Sequence, residues 1–224
     1  MNKWDIAGGW ELGETMALGV SITHSKWNAE DTAAEAEVSN SFLTFGAGFT
    51  WTNNDNMVLD LSATFGSAGG DATVGTQTVE WDSGTAFDIA ARLFYDWKDN
   101  VTLVPVAEFA SSEYSLTWTP EPPGPITEPN GNQITDFMVG LGLNMDVNQD
   151  NMLVFALEYM SREWEYANPD TTAGDLKSIS WSYMPTVRLA LETQITSWLT
   201  TRVGAAKYLG SVEAESNGGD TVKV

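Results

Sequence analysis

The sequence has no cysteine and a single histidine, His24. The first absence excludes a disulfide framework and a thiolate metal site, and the second leaves no histidine-built metal centre. Basic residues are scarce: ten Lys and Arg stand against 31 Asp and Glu, for a net charge of −21. Nothing here could neutralise a run of phosphates, so nucleic acid is excluded as a partner. Attraction to an anionic lipid surface is disfavoured for the same reason. Charged residues of either sign make up only 18%, below the roughly 25% of soluble domains. No apolar run approaches the ~18 residues a membrane helix needs. The start, "MNKWDIAGGW", lacks the apolar core of a secretory signal. Either a signal has been removed or the chain is a piece of a longer one. No cofactor is implied anywhere.

What the sequence does have is alternation. In "ITDFMVGLGLNMDVNQDNMLVFALEYM" (134–160), Phe137, Val139, Leu141, Leu143 and Met145 alternate with Met138, Gly140, Gly142, Asn144 and Asp146. Leu153, Phe155, Leu157 and Tyr159 then alternate with Val154, Ala156, Glu158 and Met160. This period of two recurs along the chain and no helical period is sustained. Ten strands are expected, near 3–12, 16–26, 41–51, 57–67, 85–97, 101–117, 133–147, 152–166, 179–195 and 199–212. Short turns rich in Asn, Asp and Gly (13–15, 52–56, 98–100, 148–151, 196–198) tolerate the positive φ of tight hairpins. They alternate with long connections at 27–40, 68–84, 118–132 and 167–178. "TPEPPGPITEPNG" holds five of the eight prolines and cannot be sheet interior. Short at one end and long at the other describes one up-and-down antiparallel meander, a single domain over residues 1–224.

Which face meets water decides the class. On the second strand Met16, Leu18, Val20 and Ile22 oppose Ala17, Gly19, Ser21 and Thr23. On the third, Leu43, Phe45, Ala47, Phe49 and Trp51 oppose Thr44, Gly46, Gly48 and Thr50. A soluble ligand carrier would place the large apolar set inside and cover its outside with Lys, Glu and Thr. Here the second face is mostly Gly, Ala, Ser and Thr with isolated charges, which suits a crowded, hydrated interior. The apolar set then faces lipid, where a Lys or Arg at the midplane would cost ~2–4 kcal/mol. Lipid offers the backbone no hydrogen-bond partner, so the strands are expected to close into a barrel.

Aromatic residues point the same way. Trp10, Trp51 and Trp97 share the apolar parity just before short turns, and Trp198 lies within one. Tyr159, Trp181 and Tyr183 are read as the matching row near the long connections. Two aromatic rows bracketing an aliphatic band have the form of membrane-interface girdles.

Alternating strands, short Asn/Asp turns, long polar loops and tryptophan rows together resemble the porin-like β-barrel proteins of the Gram-negative bacterial outer membrane. The resemblance covers essentially all 224 residues and is architectural, without a motif for one family. It implies location in the outer membrane, with short turns in the periplasm and acidic loops outside the cell. Lipid and lipopolysaccharide would be its surroundings. On that topology the first strand descends and the tenth ascends, so both termini lie on the outer side, whereas such proteins keep both in the periplasm. No terminal strand ending in an aromatic is present. The expectation is therefore a fragment, incomplete at both ends, of a transmembrane β-barrel with twelve or more strands.

The inward parity collects Asp5, Glu11, Asp60, Asp88, Glu108, Asp136, Glu158 and Glu192, with Arg92, Arg188 and Arg202. These charges could pair and rigidify a filled lumen, or line a water-filled path whose acidic surplus favours cations. Three functions follow: a passive pore for small solutes, cation-preferring if open; a non-conducting structural or adhesive surface barrel with a charge-plugged lumen; or a soluble lipocalin-like carrier. Glu30, Asp31, Glu35, Glu37, Asp170, Asp175, Glu213, Glu215 and Asp220 read as a solvated loop surface. Bridging to lipopolysaccharide by divalent cations is the alternative. No calcium-loop spacing is present. His24 and Ser25 are adjacent and point to opposite faces, so no enzyme is expected.

Overall fold

The computed structural model describes residues 2–31, 35–53, 56–119, 126–127, 132–166, 176–216 and 221–223. Ten long strands carry the fold: β1 (Asn2–Glu11), β2 (Met16–Asp31), β3 (Ala36–Asn53), β4 (Met57–Val74), β5 (Gln77–Lys98), β6 (Val101–Thr119), β8 (Asn132–Asn148), β9 (Asn151–Glu165), β10 (Leu176–Thr196) and β11 (Leu199–Ser216). Two short ones complete the set, β7 (Ile126–Thr127) against β6 and β12 (Thr221–Lys223) against β11. Every pairing is antiparallel between successive long strands, in the order β1-β2-β3-β4-β5-β6-β8-β9-β10-β11-β12. The all-β, up-and-down meander read from the alternation is the fold.

The short turns lie where Asn, Asp and Gly cluster, but two of the long connections do not exist as such. Glu30 pairs with Glu37, and Val74 pairs with Gln77, so residues assigned to loops at 27–40 and 68–84 are largely strand. At the second, Gly75 takes a φ of +60° to close the hairpin, a value that costs glycine little. Most of 118–132 and 167–178 lies outside the described residues.

The expected closure is also absent. Among the described residues β1 pairs with β2 alone, and β11 has β10 on one side and only the three residues of β12 on the other. The molecule is a curved sheet with a concave and a convex face. A cavity on the concave face is lined across β3 to β8 by Thr44, Thr64, Ala86, Asp88, Ala110 and Asp136, and another opens at the strand ends beside Ser39, Asp71 and Glu80. The bulky aliphatic set points the other way: Leu141 is 51% exposed, Phe155 40% and Leu189 49%. In water such a surface would be costly, at about 25 cal/mol per Å²; against hydrocarbon it is the favourable arrangement.

The convex apolar row on β3 runs from Leu43 to Trp51. That is about 26 Å of strand, or roughly 20 Å of height at the usual barrel tilt, close to the thickness of an outer-membrane hydrocarbon band. Beyond that row the strands continue and their pattern inverts. On β3 the convex positions become Ser41, Ser39 and Glu37, while the concave ones become Phe42, Asn40 and Val38. β8 and β9 do the same, with Gln133, Thr135, Glu163 and Glu165 convex and Ile134 and Trp164 concave. In β5 and β10 the exchange is reinforced by register shifts, between Ser83 and Ala86 and between Tyr183 and Thr186. Pro185 sits in the second, where a residue without an N–H is tolerated. The upper ends of the strands therefore form a cup that is polar outside and apolar within.

Candidate functional site: the concave wall

Following the register from strand to strand puts all eleven of the charged residues named for the lumen on the concave face: Asp5, Glu11, Asp60, Asp88, Arg92, Glu108, Asp136, Glu158, Arg188, Glu192 and Arg202. A fourth arginine joins them. Arg162 lies opposite both Asp136 and Trp181. Its even number on β9, shared with Glu158 and Met160, was the signal that could have found it.

The charges are not spread evenly. On β8 to β11 they form three ion pairs that step around the wall. Arg162 holds Asp136 through two parallel bonds, Nε to Oδ1 at 2.6 Å and Nη2 to Oδ2 at 2.8 Å. Arg188 donates Nε to Glu158 Oε2 at 2.8 Å, and Arg202 pairs with Glu192. The fork geometry of the first gives it direction as well as energy. Gly140 lets the second lie flat, since a Cβ there would come within 2.9 Å of Glu158 Cγ and 3.1 Å of Val106 Cγ2.

On β1 to β6 three of the carboxylates are bonded to hydroxyls or to one exposed lysine instead. Thr50 donates to Asp60 at 2.8 Å, Thr64 donates to Asp88 at 3.3 Å, and Lys3 lies 3.3 Å from Asp5. Arg92, opposite Asp60 in register, holds its guanidinium over the Phe94 ring at 5.8 Å. Asp60, Arg92, Val106, Glu108 and Met138 line a cavity of about 190 Å³ at this level. Hydroxyl bonding spreads a carboxylate's charge without cancelling it, so this half of the wall keeps its negative field.

Of the aromatic residues assigned to the membrane interfaces, Trp10, Trp51, Trp97 and Trp198 lie at the short-turn end, Trp198 being 81% exposed. Trp10, Trp51 and Tyr159 pair within the convex row, and Lys98 Nζ lies over the Trp97 ring at 4.8 Å. Trp181 and Tyr183 are corrected. Because the register shifts between Tyr183 and Thr186, they sit opposite Arg162 and Met160 and face the concavity. Trp4 takes the convex position that reading missed, stacked on His24 at 5.4 Å between ring centres.

Trp181 and Tyr183 belong to a ring-lined vestibule at the cup end. One cavity of about 500 Å³ is lined by Met138, Met160, Arg162, Trp181 and Tyr183, and a second of about 510 Å³ by Phe42, Thr44, Ala68 and Trp81. Ile134 and Trp164 line both, so the two adjoin. Glycines make room for the rings: a Cβ on Gly70 would meet Trp81 Cζ2 at 2.7 Å, and one on Gly210 would meet Tyr183 Cδ1 at 2.7 Å. Of the carboxylates expected in loops, Glu30, Asp31, Glu37, Glu213 and Glu215 lie on strands and Glu35 in a turn. Asp170, Asp175 and Asp220 lie outside the described residues. Among the described residues no three His, Asp or Glu side chains are grouped to hold a metal ion.

The fold of this chain is an antiparallel up-and-down meander, open among the described residues, with an apolar convex band and a charged concave wall, the kind of sheet that transmembrane β-barrels close into a cylinder. Among solved structures it is similar to the siderophore receptor PiuA from Acinetobacter baumannii, with a TM-score of 0.53 at 10% identity. The match covers 95% of this chain and 44% of the receptor, so the chain spans less than half of that protein's length. It is also similar to the CymD monoaromatic hydrocarbon channel, with a TM-score of 0.47 at 11% identity, covering 94% of this chain and 72% of the channel. No protein-family model matches the sequence, and no curated relative is detected.

Proposed function

We propose that this chain forms the wall of a passive pore in the bacterial outer membrane, admitting small solutes and preferring cations. The observation that carries the reading is the uneven concave wall. Three arginines are consumed by Asp136, Glu158 and Glu192, while Asp60, Asp88 and Glu108 share one cation, Arg92, whose guanidinium lies on a ring. Fixed carboxylates beside a water-filled path lower the energy of a cation there and raise that of an anion. Lipid meets the convex band, and lipopolysaccharide meets the polar convex surface above it, where Ser39, Ser41, Asp71 and Glu80 stand. Planar-bilayer recording tests the proposal. A salt gradient should give a reversal potential of the sign set by cation flow, and a potential set by chloride would overturn it.

A second reading has its own support. The three ion pairs on β8 to β11 have the form of a charge network that fills a lumen. Reconstituted protein that never conducts would favour that structural or adhesive role. The exposure of Leu141, Phe155 and Leu189 on the convex face leaves the lipocalin-like carrier without support. His24 stacks on Trp4 on the convex side while Ser25 keeps the opposite parity, an arrangement with no nucleophile–base contact.

A further inference from the structure

We infer that the vestibule is a binding site for an aromatic, ring-sized solute that carries no negative charge. The site is built by the inversion of pattern above the lipid band. Polar convex positions there show that these strand ends stand in water, and an apolar interior standing in water needs an occupant. Trp81, Trp164, Trp181 and Tyr183 contribute ring surfaces to the two adjoining cavities, each of about 500 Å³. That is the size of a small-molecule site. Met138 and Met160 add soft, adaptable thioethers that make favourable contacts with rings.

The charges decide between kinds of guest. Asp136 and Arg162 satisfy each other through two bonds within the cavity that Trp181 and Tyr183 line, and Glu108 stands on the same lining. An anionic guest therefore meets a self-neutralised pair and a further carboxylate, with no counter-ion to bind there. A sugar would need a hydrogen-bond partner for each hydroxyl, whereas rings and thioethers dominate this wall. A planar aromatic molecule gains offset stacking on several indoles at once, worth about two- to tenfold in affinity for each ring.

The inference goes beyond the pore reading and does not depend on conduction, because a plugged barrel with the same cup would bind the same guest. The test is calorimetric titration of the protein in lipid nanodiscs with benzyl alcohol, against empty nanodiscs. Cyclohexylmethanol, glucose, benzoate and benzylammonium are titrated in parallel. The expected result is saturable binding of benzyl alcohol above the lipid blank, at least tenfold tighter than benzoate, with benzylammonium also bound more tightly than benzoate. Trp181→Leu keeps apolar volume and removes a ring. It should weaken benzyl alcohol binding about three- to tenfold while changing cyclohexylmethanol less than twofold. That ratio within one protein separates ring loss from a folding defect. Saturable glucose binding would make the vestibule a carbohydrate platform and overturn the proposal. Benzoate binding as tightly as benzyl alcohol would make it an anion site, with the same consequence. Uptake of none of the probes would mean the cup is already filled by the chain's own loops, and would overturn it too.

Discussion

Leu61 and Ser62 are adjacent on β4 and point to opposite faces, so one substitution at each isolates the solvent that each face meets. Leu61 is 41% exposed on the convex side, opposite Phe49 and Ala91. It stands four residues from Met57 and four from Phe65, the two ends of its apolar row, or about 13 Å of strand either way. That places it at the middle of the band. Ser62 lines the cavity that also holds Asp60, Arg92 and Glu108. Leu61→Arg should therefore destabilise the bilayer-folded protein by ~2–4 kcal/mol, a factor of roughly 30 to 1,000 in the folding constant. Ser62→Arg places the same side chain in a hydrated, carboxylate-rich space and should cost less than ~1 kcal/mol. The assay is denaturant titration of both variants folded into phosphatidylcholine vesicles, followed by far-ultraviolet circular dichroism. If Leu61→Arg proves no costlier than Ser62→Arg, the convex face does not meet hydrocarbon, and the reading of the fold as membrane-spanning fails with it.

Other consequences can be measured separately. Neutralising the poorly paired half of the wall with Asp60→Asn, Asp88→Asn and Glu108→Gln together should move the bilayer reversal potential towards zero. The same treatment of Asp136, Glu158 and Glu192 leaves three arginines uncompensated and should favour anions. Arg188→Met strands Glu158, whose side chain is only 14% exposed, and should cost ~1–2 kcal/mol. Adding Glu158→Gln should recover part of it, with a coupling of ~0.5–1 kcal/mol in a double-mutant cycle because the arginine is half exposed. Gly70→Val puts side-chain atoms where the Trp81 indole lies, so tryptophan emission should shift to the red relative to a Trp81→Phe control; an unchanged spectrum would contradict the packing.

The membrane-spanning part of each strand was legible because one residue type could not serve both faces. Leu43, Phe45 and Phe49 on one side and Gly46 and Gly48 on the other admit a single assignment once a period of two is accepted. The strand ends were not legible for the same reason. Where β3 leaves the lipid band, the polar set moves to the convex face, and "AEAEVSNS" loses the alternation that marks a membrane strand. Residues 36–40 fall in the stretch whose pattern reads as loop, although they pair residue by residue with β2. Trp181 and Tyr183 failed through a different cause, a register shift whose extra residue reverses every face beyond it. Pro185 was the local sign of that shift, since proline inside a strand marks an irregularity. The ion pairs on β8 to β11 were only partly visible. Parity placed Glu158 and Arg188 on one face, but the diagonal offset that joins them depends on the register between β9 and β10, which the alternation does not give.

The free flank of β1 has a consequence for how such a sheet enters a bilayer. Along ten residues it presents about five amides and five carbonyls with no strand beside them among the described residues. Water satisfies that rim at no cost, whereas hydrocarbon charges several kcal/mol for each group left bare. Burial of the convex side and stitching of the seam therefore have to proceed as one cooperative event. Whichever strand zips onto β1 acts as the latch that commits the protein to the membrane.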